Sequence, residues 1–379
     1  MKNQLFLISG LLLLLLILSC TPSKENENQS ELQFVVTEKY KTFPLPQDFG
    51  HSDLYFQFLE DKYFFLFDYK TKQVLTYSIP ETSLVNTIRF EKEGPKGIGN
   101  NVAGIFIESP DEIYLTAGVN TLFKFDGKGN LLQKSKINVE GLEEKGISLF
   151  SNIFTLAKDG FYFPAFPMVF DWTSITPQEL TEIPNLMRYD TLSKSFTPIS
   201  YFPAEFVGDN LNKSIFPLLA LGPDDMPVIN MNFRNIYRIK EGKVVSAFAG
   251  HSGFPNDPPT SNSPKMFEDM PEIMKLINYA DIYTDLFYLK NQKLMVRVAK
   301  FEDVPYNYLD ADSFLASRWG LVFLDSDFNK VGEMELTPDR FNGRYIFGDR
   351  EGIWISTDHP ENPDMSEDFL RFQLITVKQ

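Results

Sequence analysis

The sequence predicts an all-β protein, a six-bladed β-propeller with loop insertions, preceded by a signal peptide and a flexible tether. Short apolar strands recur along the chain without intervening helices, and turns rich in Asp, Gly, Asn and Lys join them. An apolar leader that ends at Cys20 precedes all of these strands. The expected organisation is a removed signal peptide over residues 1–19, a tether over 20–31 and the propeller over 32–379.

The leader has the pattern of a secretory signal. Lys2 supplies a positive start, an apolar stretch runs from Leu5 to Leu18, and the small residue Ser19 precedes Cys20. The stretch is shorter than the roughly 20 apolar residues of a transmembrane helix. The leader therefore predicts export rather than a membrane-spanning segment.

Cys20 indicates which kind of signal this is. It is the only cysteine of the chain and has no disulfide partner there, and a thiol is the nucleophile that lipid attachment requires. We expect Cys20 to be lipidated, with the protein held at a membrane by more than one acyl chain. The alternative is a secreted protein without a lipid. Residues 21–31, rich in Ser, Asn, Glu and Lys, have the composition of a flexible tether.

The net charge of the chain limits the kinds of molecule that the protein can bind. The chain has 36 Lys and Arg against 51 Asp and Glu, for a net charge of −15, so it would repel nucleic acid and anionic lipid. The three histidines, His51, His251 and His359, are scattered without metal-ligand spacing. We therefore expect no nucleic-acid partner, no metal site and no cofactor.

The repeat unit is clearest between Asp111 and Leu132, where strand, strand and an Asp-Gly-Lys-Gly-Asn turn follow one another. Related units cover residues 63–75, 111–132, 159–194, 227–245, 293–330 and 351–375. A pair of β-sandwiches or one irregular all-β domain is the alternative reading. Residues 32–36 are placed to complete the sixth blade and close the ring, which would remove exposed strand edges.

Three insertions interrupt the repeats, at residues 164–184, 249–271 and 301–319. The first two are rich in proline and the third in Asp, Tyr and Asn. Long loops on a rigid scaffold often carry binding surfaces. We expect any ligand site to lie there.

The chain resembles an uncharacterised family of six-bladed, TolB-like β-propeller lipoproteins of the Gram-negative envelope, a domain of unknown function. The residues that carry the resemblance are Leu18-Ser19-Cys20, hairpins such as Phe125 to Asn130, Glu93 to Gly97, and the terminal Asp368 to Phe372. The resemblance covers nearly the whole mature chain. It implies the fold and a place in the bacterial cell envelope, with the outer membrane favoured over the inner, and it carries no catalytic residues.

Five residues are candidates for ligand contact. His251 lies in a proline-rich insertion, and Trp172 lies in another. Arg234, Arg297 and Arg318 lie near strand ends, and arginine forms paired hydrogen bonds to carboxylates. The alternatives are internal ion pairs for the arginines, core packing for Trp172, and a loop tip without catalysis for His251 and Ser252.

One turn has the beginning of a calcium loop. Asp325, Asp327 and Asn329 have the spacing, but Lys330 and Leu336 stand where Gly and Glu are required. A hairpin turn between two strands explains these residues better.

The absence of an assembled catalytic set favours a binding or scaffold module for a protein partner or an envelope glycan. The alternative is a glycan hydrolase or lyase that uses carboxylates converging at the propeller face. The sequence does not show which carboxylates converge.

Overall fold

The computed structural model describes residues 32–49, 54–118, 120–149, 153–167, 175–203, 217–231, 233–240, 243–254, 269, 271, 280–301 and 315–378. Residues Leu32–Gln379 form one compact unit. Its described strands form six antiparallel sheets, and each sheet is one blade. The predicted six-bladed all-β fold is confirmed.

The first two blades come from consecutive chain segments, each ordered from the innermost strand outward. Blade one contains β2 (Leu54–Leu59), β3 (Tyr63–Asp68), β4 (Gln73–Ser78) and β5 (Ser83–Arg89). Blade two contains β6 (Val102–Ser109), β7 (Glu112–Ala117), β8 (Thr121–Phe125) and β9 (Leu131–Lys136).

Blade three has its innermost position filled by two short strands. It contains β10 (Ile147–Leu149), β11 (Thr155–Ala157), β12 (Gly160–Pro167), β13 (Pro184–Asp190) and β14 (Ser195–Tyr201). Blade four is regular and contains β15 (Leu218–Leu221), β16 (Pro227–Asn230), β17 (Asn235–Lys240) and β18 (Lys243–Phe248).

The last two blades complete the ring. Blade five contains β19 (Ile282–Leu289), β20 (Leu294–Lys300), β21 (Trp319–Asp325) and β22 (Lys330–Glu335). Blade six contains β23 (Asn342–Asp349), β24 (Gly352–Ser356), β25 (Phe369–Val377) and, as its outer strand, β1 (Phe34–Pro44).

Strand β1 joins the two ends of the chain. It pairs antiparallel with β25 from Phe34 opposite Val377 to Pro44 opposite Phe369. Phe34 stacks on Phe323 of blade five, with 3.6 Å between ring centroids, so this strand also packs against the neighbouring blade. The sequence prediction that residues 32–36 complete the sixth blade is confirmed.

Position within a blade explains the residue pattern of each strand. Middle strands pack against neighbouring blades on both faces, which is why β3 reads Tyr-Phe-Phe-Leu-Phe with nearly every side chain buried. Outer strands face solvent on one side, and β18 is mostly exposed accordingly. Trp319 and Trp354 are buried core residues.

The connections differ sharply between the two faces of the propeller. On one face, the turns that join first to second and third to fourth strands span five residues at most. The connections between blades and between second and third strands begin and end on the opposite face, and they include 137–146, 168–183, 202–217, 249–281, 301–318 and 357–368. We call these the short-turn face and the long-loop face.

Where the structure describes them, the long-loop connections contain two short helices. They are α1 (Glu140–Glu143) and α2 (Pro177–Thr181). Thr176 begins α2 by accepting a hydrogen bond from the Glu179 amide, while the Glu179 side chain accepts one from the Thr176 amide. No helix in the described ranges is long and apolar enough to cross a membrane.

The acidic hairpins are turns of the short-turn face. Both oxygens of Asp325 accept hydrogen bonds of 2.9 Å, from the amides of Asp327 and Asn329 and from the Asn329 side chain. Asp126 binds the amides of Lys128 and Asn130 in the same way. The interpretation of the calcium-like sequence as a hairpin turn is confirmed.

Candidate functional site

Three polar side chains of different blades lie on innermost strands of the propeller. Tyr55 belongs to β2, Asp285 to β19 and Arg344 to β23, which are innermost strands of blades one, five and six. Each is near the end of its strand that adjoins the long-loop face. We call Tyr55, Asp285 and Arg344 the channel-mouth cluster.

Strand irregularities set two members of this cluster in place. In β19, Tyr283 pairs with Ala299 but Asp285 pairs with Val298, so Thr284 is an extra residue that bulges. In β23 the pairing slips between Asn342 and Ile346, and the buried Asn342 side chain accepts a 3.0 Å hydrogen bond from the Arg344 amide within this slip. Bulges re-aim side chains and are over-represented beside functional sites.

Electrostatic interactions link Asp285 to both other members of the cluster. Burial raises the pKa of Asp285, while the Arg344 guanidinium and the Thr284 hydroxyl oppose that rise. Burial also raises the pKa of Tyr55, with further contributions from Tyr69 and Asp285. Asp285 and Tyr55 nevertheless keep part of their surface exposed. Asp285 and Tyr55 are thus enclosed by protein but still in contact with solvent, as expected for side chains beside a central channel.

Side chains of β2 also bridge to neighbouring innermost strands. The Tyr55 hydroxyl donates a 3.1 Å hydrogen bond to Gln57, whose amide group binds both backbone groups of Ile107 in blade two. Next along β2, Phe58 approaches Phe287 of β19, with 6.1 Å between ring centroids.

The sequence-predicted residues gather beside this cluster, where blade four meets blade five. Arg297 is fully buried on β20, and its Nε donates to Asn230 at 2.8 Å. Its two terminal nitrogens donate to four backbone carbonyls, which belong to Met231, Phe233, Arg234 and Ala249. Every donor position is thus directed at the loops of blade four, and burial lowers the pKa of Arg297 to about 10.

His251 is buried against blade five. Its amide donates a 2.7 Å hydrogen bond to the Tyr283 hydroxyl, and its Nδ1 accepts one of 3.1 Å from the Gly253 amide. The ring packs edge-on to Phe301, with centroids 5.1 Å apart. Burial lowers the pKa of His251, and Glu333 and Glu335 oppose that shift while Lys330 adds to it.

A carboxylate fixes the loop that carries His251. Glu333 accepts hydrogen bonds from the Ser252 amide at 2.9 Å and from Lys330 at 2.7 Å. Burial alone would raise the pKa of Glu333, but these hydrogen bonds outweigh it and hold the pKa at about 2. The loop over residues 250–254 is therefore anchored by charge.

Arg234 and Arg318 lie at the edge of the same region. Arg234 contributes its carbonyl to Arg297, and its positive charge favours ionisation of Tyr283. Arg318 lies 3.6 Å from Glu335 in an ion pair and over the Phe301 ring. The pairing of Arg318 matches the internal ion pair that the sequence left open.

His359 is a second buried histidine that, like His251, holds a long-loop connection in place. Its Nδ1 accepts a 3.1 Å hydrogen bond from the Glu361 amide, and Nε2 lies 3.2 Å from the Ser317 carbonyl. It thereby ties the β24–β25 connection to the β20–β21 connection. Burial lowers the pKa of His359, opposed by the Ser317 carbonyl.

The structure thus brings together four of the five residues that the sequence singled out: His251, Arg234, Arg297 and Arg318. Trp172 lies outside the described residues, as do Cys20 and His51. The ligand role of these residues stays a prediction, and the hydrogen bonds of Arg297 give it a structural role as well. Among the described residues, no group of three or more His, Cys, Asp or Glu side chains is placed to hold a metal ion.

The channel-mouth cluster was missed by sequence reasoning. Its strands β2, β19 and β23 mix polar and apolar residues, because one side of each lines the channel. The available signal was a charged residue, Asp285 or Arg344, inside an otherwise aromatic and apolar segment.

Comparison with known proteins decides the family. Residues 31–335 match the family described as a domain of unknown function, DUF4221. The chain belongs to the DUF4221 family. No curated protein matches it.

Solved structures carry the same fold. A DUF4221 member from Bacteroides vulgatus is 17% identical with a TM-score of 0.76, over 93% of this chain and 99% of that one. A Bacteroides fragilis protein described as a candidate exported protein is 10% identical with a TM-score of 0.52, over 92% of this chain and 98% of that one. At these identities the similarity shows the fold of this DUF4221 protein and not its activity.

Proposed function

We propose that this DUF4221 protein is a lipid-anchored binding or scaffold module of the bacterial cell envelope, which holds a protein partner or an envelope glycan at its long-loop face. The proposal rests on the way in which long and short connections between strands are divided between the two faces. Every connection longer than five residues begins and ends on one face, around the channel-mouth cluster. A rigid scaffold that gathers its variable loops on one side is the usual arrangement of a binding surface.

The path of the chain supports this assignment. Strand β1 begins at the short-turn face, because Phe34 pairs with Val377 and Pro44 pairs with the first residue of β25. The Leu32 amide donates a 2.7 Å hydrogen bond to the Val331 carbonyl at that same side. The described part of the chain thus enters the propeller at the face opposite the long loops.

The alternative function, a glycan hydrolase or lyase, needs two carboxyl groups that act together. In the channel mouth, the groups that act on the pKa of Asp285 are Arg344 and Thr284, and neither is a carboxylate. Among the described residues, Asp285 therefore has no second carboxylate acting on its pKa.

Affinity capture from detergent-solubilised envelopes tests the proposal. The full chain is compared with Arg318→Glu on the long-loop face and Arg350→Glu on the short-turn face, both exposed positions. We expect the wild type and Arg350→Glu to retain the same protein or glycan, and Arg318→Glu to retain less. Equal capture by all three proteins, or no reproducible capture, would count against it.

A further inference from the structure

Strand β1 contacts three blades, although it belongs to the sheet of blade six. Just before it begins, the Leu32 amide donates a 2.7 Å hydrogen bond to the Val331 carbonyl on the outer strand of blade five. Near its end, Phe43 is fully buried and packs edge-on to Phe64 of blade one, with 4.7 Å between ring centroids. The strand therefore ties blades five, six and one together.

The pairing of β1 with β25 is continuous even where its register is irregular. Eight residue pairs join the two strands, and the register shifts between Val36 and Tyr40. Two side chains span the shift. The Thr37 hydroxyl donates a 3.1 Å hydrogen bond to the Leu374 carbonyl, and the Gln373 amide group donates one of 2.6 Å to the Thr37 carbonyl. Hydrogen bonds thus join β1 to β25 on both sides of the irregularity and across it.

The ends of the two strands fix how a pull acts on them. Strand β1 begins at the short-turn face, where Phe34 lies opposite Val377, and β25 begins at the long-loop face, where Phe369 lies opposite Pro44. A pull on the chain before Leu32, opposed by a partner at the long-loop face, therefore acts along both strands in opposite directions. Hydrogen bonds between antiparallel strands are perpendicular to the strands, so this shearing force is shared by all of them.

A pull between the two chain ends acts differently. The start of β1 and the end of β25 are neighbours, because Phe34 lies opposite Val377. A force that separates these two ends acts across the strands and breaks one residue pair after another. The same pair of strands should therefore resist the first direction of pull much better than the second.

We propose that β1 is a mechanical strap, which keeps the propeller closed against a pull between the N-terminal segment and the long-loop face. The inference rests on the proposed function for the source of the pull, because an anchored protein that holds an envelope partner is pulled at these two places. The strand that closes the ring is also the first strand that such a pull reaches. Its contacts with blades five and one spread the force over three blades.

Single-molecule force spectroscopy of the full chain tests the proposal. Cell-free synthesis leaves Cys20, the sole cysteine, with a free thiol that serves as one handle. The second handle is Met365→Cys, an exposed position in the connection that leads into β25, or Gln379→Cys at the C terminus. We expect the first rupture with the handle at 365 to need at least about twofold more force than with the handle at 379, at the same loading rate.

A matched pair of variants locates the resistance in β1. Phe34→Ala removes the ring that stacks on Phe323 of blade five, and it should lower the rupture force measured with the handle at 365. The control Val35→Ala, at the exposed next residue of the same strand, should leave that force unchanged. Thermal melts report folding. If Phe34→Ala does not fold, the comparison of the two handle positions decides the result.

Two results would overturn the proposal. They are a first rupture force that is equal for both handle positions or higher for the handle at 379, and an unchanged rupture force in folded Phe34→Ala. The measurement involves no ligand and no membrane. If it fails while envelope capture still depends on Arg318, the strap is wrong and the proposed function stands. If the forces are as expected and capture fails, the proposed function is wrong and the mechanical property stands.

Discussion

The guanidinium of Arg297 lies over the ring of Tyr283, with 3.4 Å between its central carbon and the ring centroid. The same arginine donates to four carbonyls of blade four, and the same tyrosine accepts from the His251 amide. These two residues therefore hold the loops of blade four against the inner strands of blade five. The rim of the long-loop face depends on them.

Replacing Arg297 should destabilise the protein strongly. Arg297→Met keeps much of the volume but leaves several buried carbonyls without donors, and each such group costs about 1–3 kcal/mol. We expect the free energy of unfolding to fall by about 3 kcal/mol or more, measured by denaturant unfolding. The control Arg350→Met removes an exposed arginine and should change stability by about 0.5 kcal/mol at most. A small effect of Arg297→Met would refute the role of Arg297 in holding the loops of blade four against blade five.

The two buried histidines should make stability depend on pH. Burial lowers the pKa of His251 and of His359, so the unfolded chain binds protons at a higher pH than the fold does. Their contribution is complete above the ordinary histidine pKa of about 6.5 and is lost as pH falls below it, by at most about 1.4 kcal/mol per pH unit for each ring.

The difference between wild type and a His251→Gln, His359→Gln double variant isolates this effect from other titrating groups. We expect the variant to lose less stability than the wild type between about pH 7.5 and pH 5. Parallel stability curves would show that the histidines titrate normally.

The buried negative charge of Asp285 should lower the stability of the folded protein at neutral pH. Burial raises the pKa of its carboxyl, so the ionised form costs stability as pH rises through that pKa. Asp285→Asn should therefore increase the free energy of unfolding at neutral pH, and the gain should shrink as pH is lowered. Destabilisation at neutral pH would instead assign Asp285 to the structural framework.

Cys20→Ser should release the protein from membranes and leave the propeller folded. The thiol is the attachment point that the leader predicts, and a single hydroxyl does not replace it. Fractionation of cells followed by a high-salt wash measures this. Retention of the variant in the washed membrane fraction would contradict the lipid anchor.

Much of the fold could be predicted from the sequence, because middle strands and hairpin turns have strong local signals. The apolar run of β3 and the turn at Asp126 are examples, and both occur where expected. The closing strand was also predictable, since residues 32–36 had no other partner in a ring. The innermost strands gave weaker signals, because a channel-lining strand is neither continuously apolar nor regularly alternating.

The candidate site was predicted only in its outer part. His251 and the three arginines stood out as single residues in insertions or at strand ends, and they do lie in one region. Arg297 donates hydrogen bonds to backbone carbonyls because of the way two blades pack. No local sequence pattern predicts that packing. Asp285 and Arg344 are far apart in the chain and lie at register irregularities of two innermost strands, so their placement required the structure.

Site-specific photocrosslinking in living cells tests the central claim, that ligand is held at the long-loop face. A photoreactive amino acid is placed in turn at Ser252 and Met365 on the long-loop face, and at Leu192 and Asp327 on the short-turn face. All four side chains are exposed. We expect a crosslinked glycan or protein from the first pair and none from the second. Crosslinks from Leu192 or Asp327 alone would contradict the assignment of the long-loop face as the binding surface.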